Sequence, residues 1–185
     1  MLIDITLKIT AGMSKEAQGN QDRSLVGHLG THFDVMNKEF PLDYTRRAGV
    51  VFDVSAIRDR DIGSTDIDLS RVGANMFVAF HTGYIEEVPY GTRTYFSDHP
   101  QLADELIEAL LQRGVSIIAV DCSGVRRGRE HTPKDQYCAD HDCFVIENIC
   151  NLKAVLAHGG QFTAHTYPMH FADVTGLPCR VVAEV

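Results

Sequence analysis

Three apolar runs constrain this chain more than any other feature. Gly49-Val50-Val51-Phe52-Asp53-Val54, Asn75–His81 and Val115–Val120 hold too few polar residues for strands with one wet face. Runs of this length and β-branched content read as strands covered on both sides, as in a parallel or mixed sheet. A helix over 100–113 separates the second and third. Asp98 or His99 stands near its N-cap, Pro100 suits the first helical position, and Gly114 ends it. Leu102, Leu106, Ile107, Leu110 and Leu111 form its apolar stripe. Leu2–Thr10 alternates apolar and polar residues and reads as a strand, as do Phe144-Val145-Ile146, Gln161–Thr166 and Arg180–Ala183. Lys134–Asp140 is a short helix after Pro133. Ala11–Arg23 is a polar loop, and residues 58–70 are rich in charges and turns. Without repeats or linkers, residues 1–185 make one domain of α/β class, with a mixed sheet and few helices.

The chemistry concentrates in His28-Leu29-Gly30-Thr31-His32-Phe33-Asp34. Two imidazoles and a carboxylate suit a borderline divalent ion such as Zn²⁺, with Mn²⁺ or Fe²⁺ also compatible. In an extended chain His28, Gly30, His32 and Asp34 share one face, and Gly30 adds no side chain to crowd an ion. The competing reading is a strand or turn with two solvated or hydrogen-bonded histidines. Glu147, at the end of an apolar strand, is costly to bury unless it meets a cation. An exposed strand end is its alternative.

Charge and cysteine usage narrow the partners. The balance of 17 basic against 25 acidic residues, −8 overall, argues against nucleic acid or an anionic membrane as partner. No apolar run approaches the roughly 20 residues of a membrane span, and the N-terminus lacks the basic and apolar regions of a signal peptide. Five cysteines without a CxxC pair suggest reduced thiols and a cytoplasmic location.

In order along the chain, HLGTHFD, a buried strand, FVAFHTG, a helix, VSIIAVDCSGV, FVIENICNL and LPCRVVAEV resemble the cyclase family of metal-dependent hydrolases. That family includes bacterial kynurenine formamidase and isatin hydrolase. The resemblance runs over nearly the whole chain. It implies a swivelling β/β/α domain, assembly as homodimer or homotetramer, and one or two Zn or Mn ions that activate water against an amide or related carbonyl. Carried over on the signature HxGTHxDxPxH, it makes His28, His32 and Asp34 metal ligands and Glu147 the distal carboxylate. The second half of the signature departs: Met36 stands for its Pro and Lys38 for its terminal His, the usual general acid/base. An ungapped count puts Asp135 at the family's distal His position, with His131 four residues earlier and His141 six residues before Glu147. The distal ligand is therefore either Asp135 or His131.

Lys38 allows several roles. It could be a neutral base beside a cation, a charged oxyanion stabiliser, a partner of Asp34 that displaces one metal, or a solvated residue of the Asn37-Lys38-Glu39 turn. Donors to a leaving group are His131, His81 or Lys38. Asp121 is a candidate to orient a ligand histidine. Arg126-Arg127-Gly128-Arg129 is either a solvated loop or a contact for an anionic substrate or a subunit neighbour. These readings together predict a metal-dependent hydrolase of a small amide, N-formyl or cyclic amide substrate, with Lys38 and His131 as catalytic candidates. The altered base position predicts, alternatively, a ligand-binding protein or a lyase.

Overall fold

The computed structural model describes residues 1–13 and 27–185. Among these residues eight strands form one sheet that closes on itself: β1 (Leu2–Asp4), β2 (His32–Asp34), β3 (Arg46–Asp53), β4 (Phe77–His81), β5 (Ile117–Val120), β6 (Phe144–Glu147), β7 (Gln161–Pro168) and β8 (Gly176–Glu184). The ring runs β8-β2-β6-β5-β4-β3-β7 and returns to β8, so seven strands make a barrel-like sheet. The β3/β4, β4/β5 and β5/β6 pairs are parallel and the other pairs antiparallel. Closure satisfies the edge N–H and C=O groups that an open sheet would expose.

The period of two along the buried strands sorts side chains between two cores. Val51, Phe77, Ala79, Ile117, Ala119 and Ile146 point into the barrel, with Phe33 and Phe162. Their neighbours Val50, Phe52, Val78, Phe80, Ile118, Val120 and Val145 point outward. On that outer side they meet α3 (Asp104–Gln112) through Leu106, Ile107 and Leu110. This two-sided burial is why the three apolar runs carry no polar alternation. Further helices among the described residues are α1 (Tyr84–Glu87), α2 (Arg93–Ser97), α4 (His131–Asp140) and α5 (Leu152–Leu156). No helix of the described residues is long and apolar enough to cross a membrane.

Several element boundaries differ from the sequence expectation: β3 starts at Arg46 and β8 at Gly176, each earlier than read, and three further differences have a clear cause. The helix expected from Pro100 starts at Asp104, after Ala103, which offers no side-chain cap. Residues 101–103 are held in extended form instead. Ile62 donates to the Gln101 carbonyl, Ala103 to that of Ile62, and Leu102 to that of Val125. Tertiary partners claim the backbone groups that a first helical turn would have used. The strand expected over Leu2–Thr10 ends at Asp4, followed by an isolated bridge of Thr6 to Ile149. β1 and β2 share one edge of β8, β1 along residues 182–184 and β2 along 176–178, so β1 must leave where β2 begins. The helix expected from Lys134 begins at His131. Of the loop expected over Ala11–Arg23, residues 11–13 are helical instead, and everything after Met13 lies outside the described residues.

Candidate metal centre

Sheet register makes the first half of the site. In the antiparallel β2/β6 pair, His32 stands directly opposite Glu147, and Asp34 opposite Val145. Paired residues point to the same side, so His32, Asp34 and Glu147 share the outer face while Phe33 fills the barrel. His28 precedes the strand and turns its ring back. Its Nδ1 lies 3.0 Å from His32 Nε2 and 3.0 Å from Asp34 Oδ1.

Helical periodicity makes the second half. His131 and Asp135 are i, i+4 neighbours in the first turns of α4 and so fall on one face. His131 Nε2 lies 3.2 Å from Asp135 Oδ2 and 3.2 Å from Glu147 Oε1. The choice between His131 and Asp135 dissolves, because the helix presents both. Ligand atoms of His28, His32 and Asp34 lie within 4.8 Å of one another, as do those of His131, Asp135 and Glu147. Glu147 joins the two groups, with Oε1 toward His131 and Oε2 3.7 Å from His32 Nε2.

Electrostatics show what these six side chains lack. Asp34, Asp135 and Glu147 are almost fully buried within one cluster. Five buried side-chain atoms of the described residues have no hydrogen bond, and three belong here: Asp34 Oδ2, Asp135 Oδ1 and Glu147 Oε1. Glu147 Oε1 is near His131, but not in hydrogen-bonding alignment. Burial, reinforced by the Asp34 and Glu147 charges, holds the Asp135 carboxyl well above the usual range. Burial also opposes protonation of His32 and His131. The neighbouring carboxylates outweigh it and push their pKa values up to about 9 and about 10. Protons thus serve as the counter-charge that divalent cations would otherwise supply. Three imidazoles, three carboxylates and orphaned oxygens fit one or two ions of the Zn²⁺ or Mn²⁺ kind.

Supporting contacts orient the ligands. His32 Nδ1 donates to the Gly30 carbonyl at 2.8 Å, which leaves Nε2 as the free ligand nitrogen. His28 Nε2 lies 3.0 Å from Thr175 Oγ1. The Thr31 hydroxyl donates to the Asn148 carbonyl and accepts from the Leu7 N–H. The Asn148 amide donates to Gly30 O, and its Oδ1 accepts from the Tyr95 hydroxyl. Sequence reasoning missed Asn148, Tyr95 and Thr175. The first had a signal, since it follows Glu147 and asparagine tolerates the φ of +59° adopted there. The other two reach the site through tertiary packing alone.

Several sequence expectations are corrected. The 28–34 segment is extended only over His32–Asp34. Gly30 has φ +71°, and a Cβ there would lie 2.6 Å from Ile9 Cδ1. The glycine is needed for the turn and for that close approach, rather than to clear room for an ion. Lys38 makes an ion pair with Asp140 at 2.8 Å on the surface, both side chains well exposed. It therefore pairs with the far end of α4 instead of Asp34. Asp121 accepts from Thr82 N, Thr82 Oγ1 and Gly83 N, and so fixes the β4–α1 turn without touching a ligand histidine. His81 pairs with Asp53 at 3.1 Å and approaches Glu86 at 3.5 Å, apart from the cluster. Arg126 is buried against Asp61, Glu130 and the Leu102 carbonyl, so it is structural rather than solvated.

A family model described as putative cyclase matches residues 3–126, more than half of the chain. The chain belongs to the cyclase family. The matched stretch contains His28, His32 and Asp34 and ends before α4 and Glu147. No curated protein matches. Among solved structures, this cyclase-family chain is similar to a potential metal-dependent hydrolase with cyclase activity, at 20% identity and a TM-score of 0.77 over 99% of this chain and 96% of that one. It is also similar to isatin hydrolase A from Ralstonia solanacearum, at 16% identity and 0.75 over 99% and 91%. A third is a predicted metal-dependent hydrolase from Bacillus stearothermophilus, at 19% and 0.72 over 99% and 97%. These likenesses establish the cyclase-like fold.

Proposed function

We propose that this cyclase-family chain is a metal-dependent hydrolase acting on a small amide, N-formyl or cyclic amide substrate. The observation that carries the reading is the meeting of six ligand-type side chains in two groups joined by Glu147, with three buried carboxylate oxygens left unpaired. His28, His32 and Asp34 would hold one ion, and His131, Asp135 and Glu147 a second. When bound, a divalent cation supplies a Lewis acid and lowers the pKa of water to about 7 in the best-known zinc case.

The chain's own residues do the rest. Gly30 and Thr175 fix the His32 and His28 rings, so the ligand nitrogens converge without reorganisation. His131, about a third exposed and flanked by Asp135 and Glu147, would exchange a proton with a leaving group only in a one-ion site, where its Nε2 is not a ligand. The apolar layer over β6 excludes bulk water from the Glu147 side. The solved neighbours named as hydrolases and the resemblance to the family support this reading, and the resemblance also carries a homodimer or homotetramer.

Metal analysis of purified protein, followed by turnover of arylformamides and cyclic amides with and without chelator, tests it. Sub-stoichiometric metal after reconstitution, with no chelator effect on any hydrolysis, would sink it. A second reading, a ligand-binding protein or a lyase, is favoured by Lys38, because the residue at the family's base position is engaged with Asp140. Elimination products, or ligand-induced thermal shifts without turnover, would select it.

A further inference from the structure

Gly30 is the hinge of the proximal ligand group. It lies between His28 and His32, and its φ of +71° is one that glycine adopts without strain. Peptide planes are rigid, so the soft rotations between the Leu29–Gly30 and Gly30–Thr31 planes are φ and ψ of Gly30. Rotation there would swing the His28 ring away from His32 Nε2 and Asp34 Oδ1, each of which it meets at 3.0 Å. Holding these ligands together requires that both planes be gripped.

The plane after Gly30 is held through its carbonyl, which accepts from His32 Nδ1 at 2.8 Å and from the Asn148 amide at 2.9 Å. The plane before it is held by a residue far along the chain. The Gly30 N–H donates to the Tyr90 hydroxyl at 2.9 Å. Tyr90 is half-buried in the link between α1 and α2. Its ring meets that of Tyr95 edge-on at 5.3 Å and that of Phe96 at 5.8 Å. Tyr95 is fully buried and is backed in turn by Tyr84 at 5.7 Å. The link closes on itself where the Thr92 hydroxyl donates to the Pro89 carbonyl at 2.9 Å. The Tyr90 hydroxyl is therefore carried to Gly30 on a packed aromatic platform.

Two hydroxyls of this platform act on the cluster differently. Tyr95 reaches Gly30 through Asn148, which directly follows Glu147, so it serves both halves. Tyr90 acts at Gly30, inside the proximal half. We propose that Tyr90 is a positioning residue for the proximal ion: through the Gly30 N–H its hydroxyl fixes the His28 ring against His32 and Asp34, and it tunes the affinity of that group without tuning the His131, Asp135 and Glu147 group. Tyr90 is not itself a ligand. The inference rests on the metal reading of the cluster.

Zn²⁺ titration of chelator-treated protein against a competing dye tests it in two backgrounds. In Asp135→Asn the proximal group is read alone. Adding Tyr90→Phe there should weaken Zn²⁺ binding by about tenfold or more, as for other contacts that support metal ligands. In His32→Ala the distal group is read alone, and Tyr90→Phe should leave its affinity within about twofold, as for independent sites. Tyr90→Leu, which gives up the ring as well, should act on the proximal ion at least as strongly. A second readout needs no metal. By NMR, the Gly30 amide proton of metal-free Tyr90→Phe should exchange about fivefold faster or more, as fits the loss of one hydrogen bond, with the amides of β4 and β5 unchanged. Unchanged proximal affinity, an equal loss in both backgrounds, or Gly30 exchange at the wild-type rate overturns the inference while the metal reading stands. Parent variants that bind no Zn²⁺ although the wild type does overturn the division into halves, and the inference with it. A wild type that binds no Zn²⁺ overturns the metal reading as well.

Discussion

The two halves of the candidate metal cluster draw on different kinds of order. His28, His32 and Asp34 lie within seven consecutive residues, and one turn plus one three-residue strand brings them together. His131, Asp135 and Glu147 come from a helix and a separate strand, so their meeting depends on how α4 docks on β6. The first half is local and legible as a motif. The second half is a consequence of packing. Glu147 belongs to both, through its register with His32 and its contact with His131.

Removing the joint should produce the largest effect. Glu147→Gln keeps the shape but removes the charge from both groups. Turnover and bound metal should fall by about 100-fold in apparent affinity or more, as even supporting contacts to metal ligands are worth 10–100-fold. Plasma emission metal analysis and hydrolysis rates check this, and wild-type stoichiometry would break the idea that Glu147 couples the halves. Next comes separation of the halves. Asp135→Asn should reduce the metal bound by the distal group while leaving a His28/His32/Asp34 ion in place, whereas His32→Ala should cost the proximal ion. Competition with a metal-binding dye would read the two stoichiometries. Equal loss of all metal in both variants would show a single indivisible site.

Gly124→Ala addresses the distal half without touching a ligand. Its φ of +112° and the 2.8 Å approach to His131 leave no room for a methyl group. A loss of about 1–3 kcal/mol in stability is expected from the backbone strain, with weakened distal metal binding. Chemical denaturation with and without metal would measure both.

The pH response distinguishes metal-free from metal-loaded protein. His32 and His131 have folded pKa values of about 9 and about 10 in the metal-free cluster, raised above the ordinary histidine value of 6.5. Their protonation therefore stabilises the fold fully below pH 6.5, and that contribution is lost as pH rises through 9 to 10. The Tm of metal-free protein should fall over this interval. Metal must displace those protons, so affinity should rise with pH. A metal-free Tm that is flat or rising from pH 6.5 to 10 would contradict the charge balance inferred here. The smallest effect is expected for Lys38→Ala. Its exposed pair with Asp140 is worth under about 1 kcal/mol, so turnover should stay within a factor of two or so of the wild type. A large loss would return Lys38 to the mechanism.

The sequence by itself determined the elements that local chemistry dictates. The three apolar runs require strands covered on both faces, and β3, β4 and β5 are those strands. The Leu106, Ile107 and Leu110 stripe requires a helix face, which α3 buries. His28, His32 and Asp34 are recognisable because a turn and a two-residue period place them together whatever surrounds them. Only the tertiary structure decided the rest. Whether His99–Leu102 continues a helix depends on Ile62 and Val125, which are distant in the chain and offer its backbone other partners. Whether His131 or Asp135 faces the metal centre depends on where α4 begins, and a start at His131 presents both. Lys38 reads as a catalytic candidate or a solvated turn residue from its place in the motif, and the end of α4 captures it through Asp140. In each case the deciding contact is long-range, so its free energy is not written in the local sequence that it reshapes.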